Sequence, residues 1–168
     1  MLGEFARALA MAGPVVFLFS FVLAWWGLQR GMFSESGGVE ALDRELKAMG
    51  KLKGDERPRG NPVHEKWLQF GGGFYGVVGL ITYSWVEAGE IMELLGSLRT
   101  LVLQFDISIL VNFFVDSFKN FITAIAWPAY WMSRLASSQP WLWFIAAYAG
   151  YWAGVRVAQT VFARRSHD

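Results

Sequence analysis

Three stretches of this chain run for 20 to 22 residues without a charged side chain: Ala8 to Gln29, Trp67 to Val86 and Leu135 to Val155. As helices rising about 1.5 Å per residue, they extend about 30–33 Å, close to the roughly 30 Å hydrocarbon core of a bilayer. A soluble domain has little reason to carry three such runs. Only 17% of residues are charged and 54% are hydrophobic, against about 25% and about 45–50% in soluble domains. The expected fold is therefore an all-α integral membrane protein. It is a small helical bundle forming one membrane domain over 1–168, with transmembrane helices over about 5–28, 66–88 and 140–163.

The first run follows a short N-terminus bearing Arg7, as a signal peptide would. It is too long for a signal h-region, and Trp25-Trp26-Gly27-Leu28-Gln29-Arg30 offers no small-x-small cleavage site, so it reads as a retained span. Pro14, after Gly13, removes a backbone donor and is expected to bend that helix. Trp25 and Trp26 fall at the level of an interfacial aromatic belt.

From Arg30 to Lys66 the chain is polar. Val39, Leu42, Leu46 and Met49 recur at helical spacing before Gly50, which predicts a short amphipathic helix with a glycine C-cap. Such a helix rests on the membrane or on its own neighbours, or else offers a docking face to a partner. Eight of the fifteen Lys and Arg lie in this stretch. The positive-inside rule then places loop 30–66 in the cytoplasm, with Arg164-Arg165 at the C-terminus on the same side. The localisation expected is a bacterial inner (cytoplasmic) membrane.

Asn61-Pro62 supplies an N-cap and a first-turn proline, so the second helix is expected to run unbroken from about Val63 to Leu95. Within it Gly72 and Gly76 form GxxxG, which lets another backbone approach closely in lipid. In the last helix Ala146, Gly150, Gly154 and Ala158 form a small-residue stripe of the same kind. These two helices are expected to pack together, or one to pair with its own copy.

The segment 99–135 is apolar but punctuated. At about 100° per residue, Gln104, Ser108, Asn112, Asp116, Lys119, Asn120 and Thr123 share one arc of roughly 160°, opposite Leu103, Ile107, Phe114, Phe118 and Ile125. One long amphipathic helix is expected, either interfacial or a fourth span. Over Ile107 to Trp127 the apolar side chains favour insertion by roughly 3–6.5 kcal/mol, while a central Asp116 and Lys119 oppose it by roughly 5–7 kcal/mol. Cytoplasmic placement of both basic regions needs an even number of spans between them, which favours the interfacial alternative. The hairpin-like Ser137 to Pro140 favours the spanning one.

Few residues offer chemistry. Glu87, Glu90 and Glu93 form an acidic helix end, either solvated or attracting cations. Asp116 and Lys119 make an i, i+3 pair: a functional intramembrane pair if the helix spans, an exposed surface pair if it does not. Arg156 either snorkels to the headgroups or pairs with Asp116 or a glutamate of the second helix. There is no Cys, which excludes disulfides and thiolate chemistry. The two histidines, His64 and His167, lie outside the apolar runs, so no metal site is expected. No nucleotide-binding loop or nucleophile elbow is present, and a net charge of +1 gives no field for nucleic acid. No cofactor and no catalysis are expected.

The expected role is that of a non-catalytic accessory, scaffolding or assembly subunit of a larger membrane protein complex, or of a small homo-oligomer. Its partners would be the lipid bilayer and other membrane subunits or copies of itself. The alternative is a transporter or channel component whose path is lined by the polar stripe of 99–135.

Overall fold

A computed structural model describes residues 2–33, 37–52, 62–101, 107–135 and 137–166, without the side chains of 93–101, 107–110, 112, 113 and 166. All regular structure among them is helical: α1 Leu2–Gln29, α2 Gly38–Lys51, α3 Pro62–Gln69, α4 Gly73–Leu101, α5 Ile107–Ile125, α6 Trp127–Arg134 and α7 Pro140–Ser166.

The most extensive packing among the described helices joins α1 to α7. A Cβ on Gly150 would overlap the carbonyl of Gly13, and one on Gly154 would lie 2.5 Å from the carbonyl of Phe17. Further along, Trp25 meets Phe162 edge to face at 5.7 Å. Contact positions thus rise together along both chains, so the two helices are parallel. The small-residue stripe of the last helix is used inside the chain, against the first helix and not the second. Pro14 is accommodated within α1, which continues to Gln29.

α1 ends in a Schellman motif: Gly31, at φ 65°, donates its N–H to the carbonyl of Leu28, and Met32 donates to that of Gly27. α2 then folds back. Its Val39, Leu42, Leu46 and Met49 are all buried, in one core with Leu23, Ala24 and Leu28 of α1 and with Trp67. The amphipathic face predicted from the sequence is therefore satisfied by the chain's own neighbours. Gly50 is not the cap; the helix passes through it to Lys51.

The second expected span departs most from expectation. It is divided at 70–72, because Gly71, Gly72 and Gly73 take φ of 96°, 64° and 53°, a left-handed run that only glycine adopts at little cost. Gly71 and Gly72 close α3 with a second Schellman pair, onto the carbonyls of Leu68 and Trp67. α3 then folds against α4, where a Cβ at Gly76 would lie 2.7 Å from the carbonyl of Trp67. Gly72 thus serves a turn and also lies against Leu46 of α2, where an added Cβ would stand 3.1 Å from the Leu46 Cβ, while Gly76 serves the α3–α4 contact. The charge-free part of α4, Gly73 to Val86, covers only about 21 Å. α7 carries Trp, Tyr and Gly throughout, and Arg156 within it. Among the described residues, one helix, α1, is long and apolar enough to cross a membrane by length and hydropathy.

The expected single helix over 99–135 is not found: its first residues, to Leu101, belong to the end of α4, and its described remainder forms α5 and α6. Pro128 has no N–H to donate to the carbonyl of Ala124, and α5 gives way to α6 at Ala126. The carbonyl of Ala124 lies against Gly79 instead, and that of Ile125 accepts from the Tyr75 hydroxyl. α5 approaches alongside α4; α6 then leads back to Ser137, whose hydroxyl donates to Glu4 near the start of α1. The 107–135 segment therefore reaches in toward the start of α4 and returns to the end of the bundle where α1 and α7 begin.

Candidate functional site

Polar side chains inside this molecule gather in two seams. The first joins α2 and α3 to the C-terminal halves of α1 and α7. Tyr151, fully buried in α7, donates its hydroxyl to Oδ1 of Asp43 at 2.5 Å. Gln159 Nε2 donates to the carbonyl of Gly38 at 3.3 Å, and the Arg156 guanidinium packs against Gly38. Arg156 also lies 5.5 Å from the Trp152 ring centroid. It faces α2, and among the described residues it pairs with neither Asp116 nor Glu87 or Glu90.

On the α1 side of this seam His64 is fully buried, with Nε2 3.1 Å from the carbonyl of Leu23. Its ring packs edge to face on Trp26 at 5.6 Å. Burial pushes the imidazole below its usual pKa; the Leu23 carbonyl opposes that shift and the nearby Arg30 charge adds to it. The shift favours the neutral ring, and among the described residues its Nδ1 has no hydrogen-bond partner.

The second seam lies between α4 and α5. Asn120, 3% exposed, donates from Nδ2 to Glu90 at 2.8 Å and to Glu87 at 3.5 Å. Tyr83 adds a hydrogen bond to Glu87, and Lys66 sits 4.2 Å from the centroid of the Tyr83 ring. The sequence marked Glu87 and Glu90 as an open acidic end. The folded chain folds both over one buried amide. Asp116 and Lys119 do form their pair, at 3.0 Å, on an exposed surface with side chains 43% and 67% exposed. They take no part in the seam. Gln104 lies outside the described residues, as do the side chains of Glu93, Ser108 and Asn112.

Between the seams the interior mixes aliphatic side chains with aromatic ones. Trp131 Nε1 donates to Thr82, and Trp67 Nε1 to the carbonyl of Gly73. Among the described residues no group of three or more His, Asp or Glu side chains is placed to hold a metal.

Comparison with protein-family models, with curated proteins and with solved structures finds no match. The site therefore rests on geometry alone. That geometry fastens helices together and nominates no reactive group. Asp43, Tyr151, Gln159 and Tyr83 escaped the sequence reading. Asp43 shares the buried side of α2 with Leu42 and Leu46, where a carboxylate needs a donor. Tyr151 stands one residue after Gly150, on the face that α7 turns inward.

Proposed function

We propose that the chain is a multi-pass membrane protein acting as a non-catalytic accessory or scaffolding subunit, held in the bilayer by α1, α4 and α7. The observation that carries this reading is its inside-out surface. Along α1, Met11, Val15, Leu18 and Val22 face outward, and along α7 so do Trp141, Ile145, Tyr148 and Trp152. On α5, Phe114 and Phe118 are 66% and 65% exposed while Asn120 is tucked inside. Water opposes apolar exposure on this scale, and hydrocarbon does not.

The parallel packing of α1 with α7 supports a single orientation. With α4 antiparallel between them, loop 30–66 and the C-terminus share one side, and their basic residues assign it to the cytoplasm. The division at Ala126 supports a third placement for 107–135, neither one span nor one interfacial helix but an inward bend that returns to the non-cytoplasmic side.

The accessory role is supported by the use of polar side chains as fasteners and by aromatic outer faces suited to lipid and to neighbouring helices. Purification in mild detergent tests it. A defined oligomer or a stoichiometric partner is expected; a strictly monomeric chain with no companion contradicts it.

A further inference from the structure

A cavity of about 320 Å³ lies between α1, α4, α6 and α7. That volume is at the lower end of what ligand sites occupy. Its walls are apolar, from Val16 of α1 and Val78 and Ile81 of α4 to Ala147 of α7. Three tryptophans of the same wall, Trp127, Trp131 and Trp143, behave differently from one another. Trp131 has its acceptor in Thr82. Trp127, 5% exposed, and Trp143 have buried indole nitrogens with no hydrogen-bond partner among the described residues.

Buried indole N–H groups find acceptors as a rule, and a pair without any beside one apolar cavity is unexpected. The cavity's outer rim includes Met11, Val15 and Trp85, all exposed and continuous with the apolar outer surface. Trp143 stands three residues after the start of α7, only about 4.5 Å along its axis. If α7 crosses the bilayer, that is the depth where acyl chains meet their ester groups.

We propose that this cavity binds one acyl chain of a bilayer lipid, with the ester carbonyl accepting a hydrogen bond from Trp127 or Trp143. Both nitrogens are shielded in the open cavity, so the bound carbonyl engages them after the rings turn toward it. The inference rests on the membrane placement proposed above.

Native mass spectrometry of the full chain released from nonionic micelles tests it, with methyl laurate, dodecane and a decyl benzoquinone as probes. The expected result is saturable binding of one methyl laurate per chain, tighter than dodecane. Trp127→Phe and Trp143→Phe keep the rings and remove the donors. At least one of them should weaken methyl laurate about fivefold and leave dodecane unchanged. Val15→Phe fills the mouth from an exposed position and should weaken both about tenfold. Circular dichroism matching the wild type shows that each variant is folded.

Non-saturating adducts, or binding unchanged by Val15→Phe, overturn the site. Methyl laurate no tighter than dodecane and indifferent to both tryptophan variants overturns the carbonyl contact. Saturable binding of the quinone alone overturns the choice of occupant. A chain that needed detergent for extraction and fails these arms loses the site but keeps its membrane placement; one soluble without detergent loses the placement first.

Discussion

Gly150 of α7 lies against the carbonyl of Gly13 of α1, so close that a single added carbon would overlap it. The contact fixes two helices as parallel neighbours although 136 residues separate these glycines in the sequence. Van der Waals packing of close backbones is the main attraction available between helices in lipid. Gly150→Ala should therefore cost about 1–3 kcal/mol, as overpacking does elsewhere. Gly89→Ala, which meets nothing within 4 Å, should gain about 0.5–1 kcal/mol from reduced backbone entropy of the unfolded chain. Denaturant unfolding in micelles measures both, and equal effects would show that the α1–α7 contact is not tight.

Tyr151 and Asp43 fasten α2 to the bundle. Tyr151→Phe keeps the ring and leaves the half-buried Asp43 carboxylate without its donor. The expected loss is about 1–3 kcal/mol, together with faster proteolysis within 37–52. An unchanged unfolding midpoint would mean that the apolar face of α2 alone holds it in place.

Burial of His64 should give the protein an acid-side pH dependence. Its folded pKa lies below the usual value of 6.5, so between the two the unfolded chain binds more protons. Stability is then full above about pH 6.5 and falls as the pH drops toward the folded value. Midpoints measured from pH 8 to pH 5 should decline on the acid side. His64→Gln should flatten that decline; a slope that survives the substitution would assign it to other groups.

Asn120 and the Asp116–Lys119 pair should respond in opposite ways. Asn120→Ala removes a buried donor shared by Glu87 and Glu90, at a cost of about 1–3 kcal/mol. Lys119→Ala opens an exposed pair and should cost under about 1 kcal/mol. The reverse order, read from unfolding curves, would place the ion pair in the interior.

Much of the helix inventory was legible in the sequence, and the joints and pairings were not. The four apolar residues of α2 announced its buried face because helical spacing is a local signal. In the sequence the glycines at 71–73 resemble a packing feature, since glycine composition alone does not separate a close approach from a left-handed turn. Pro128 lay within a stretch whose polar arc ran smoothly past Asn120 and Thr123, and the periodicity masked the break beside it. The contacts of Gly13 with Gly150, of Asp43 with Tyr151 and of His64 with Leu23 join residues far apart in the chain. No spacing rule reaches that far. The seam at Asn120 is half visible in the sequence: its residues form one polar stripe and one acidic edge, and only the fold brings the two together.

The most direct test of the central claim uses single cysteines, which the natural chain lacks. Cysteines replacing Lys47, Arg165 and Ser133 one at a time are labelled in sealed membranes with an impermeant maleimide. The account predicts that Lys47→Cys and Arg165→Cys react only from the cytoplasmic side and Ser133→Cys only from the other. Labelling of Lys47→Cys and Arg165→Cys from opposite sides, or of all three from one side, would contradict it.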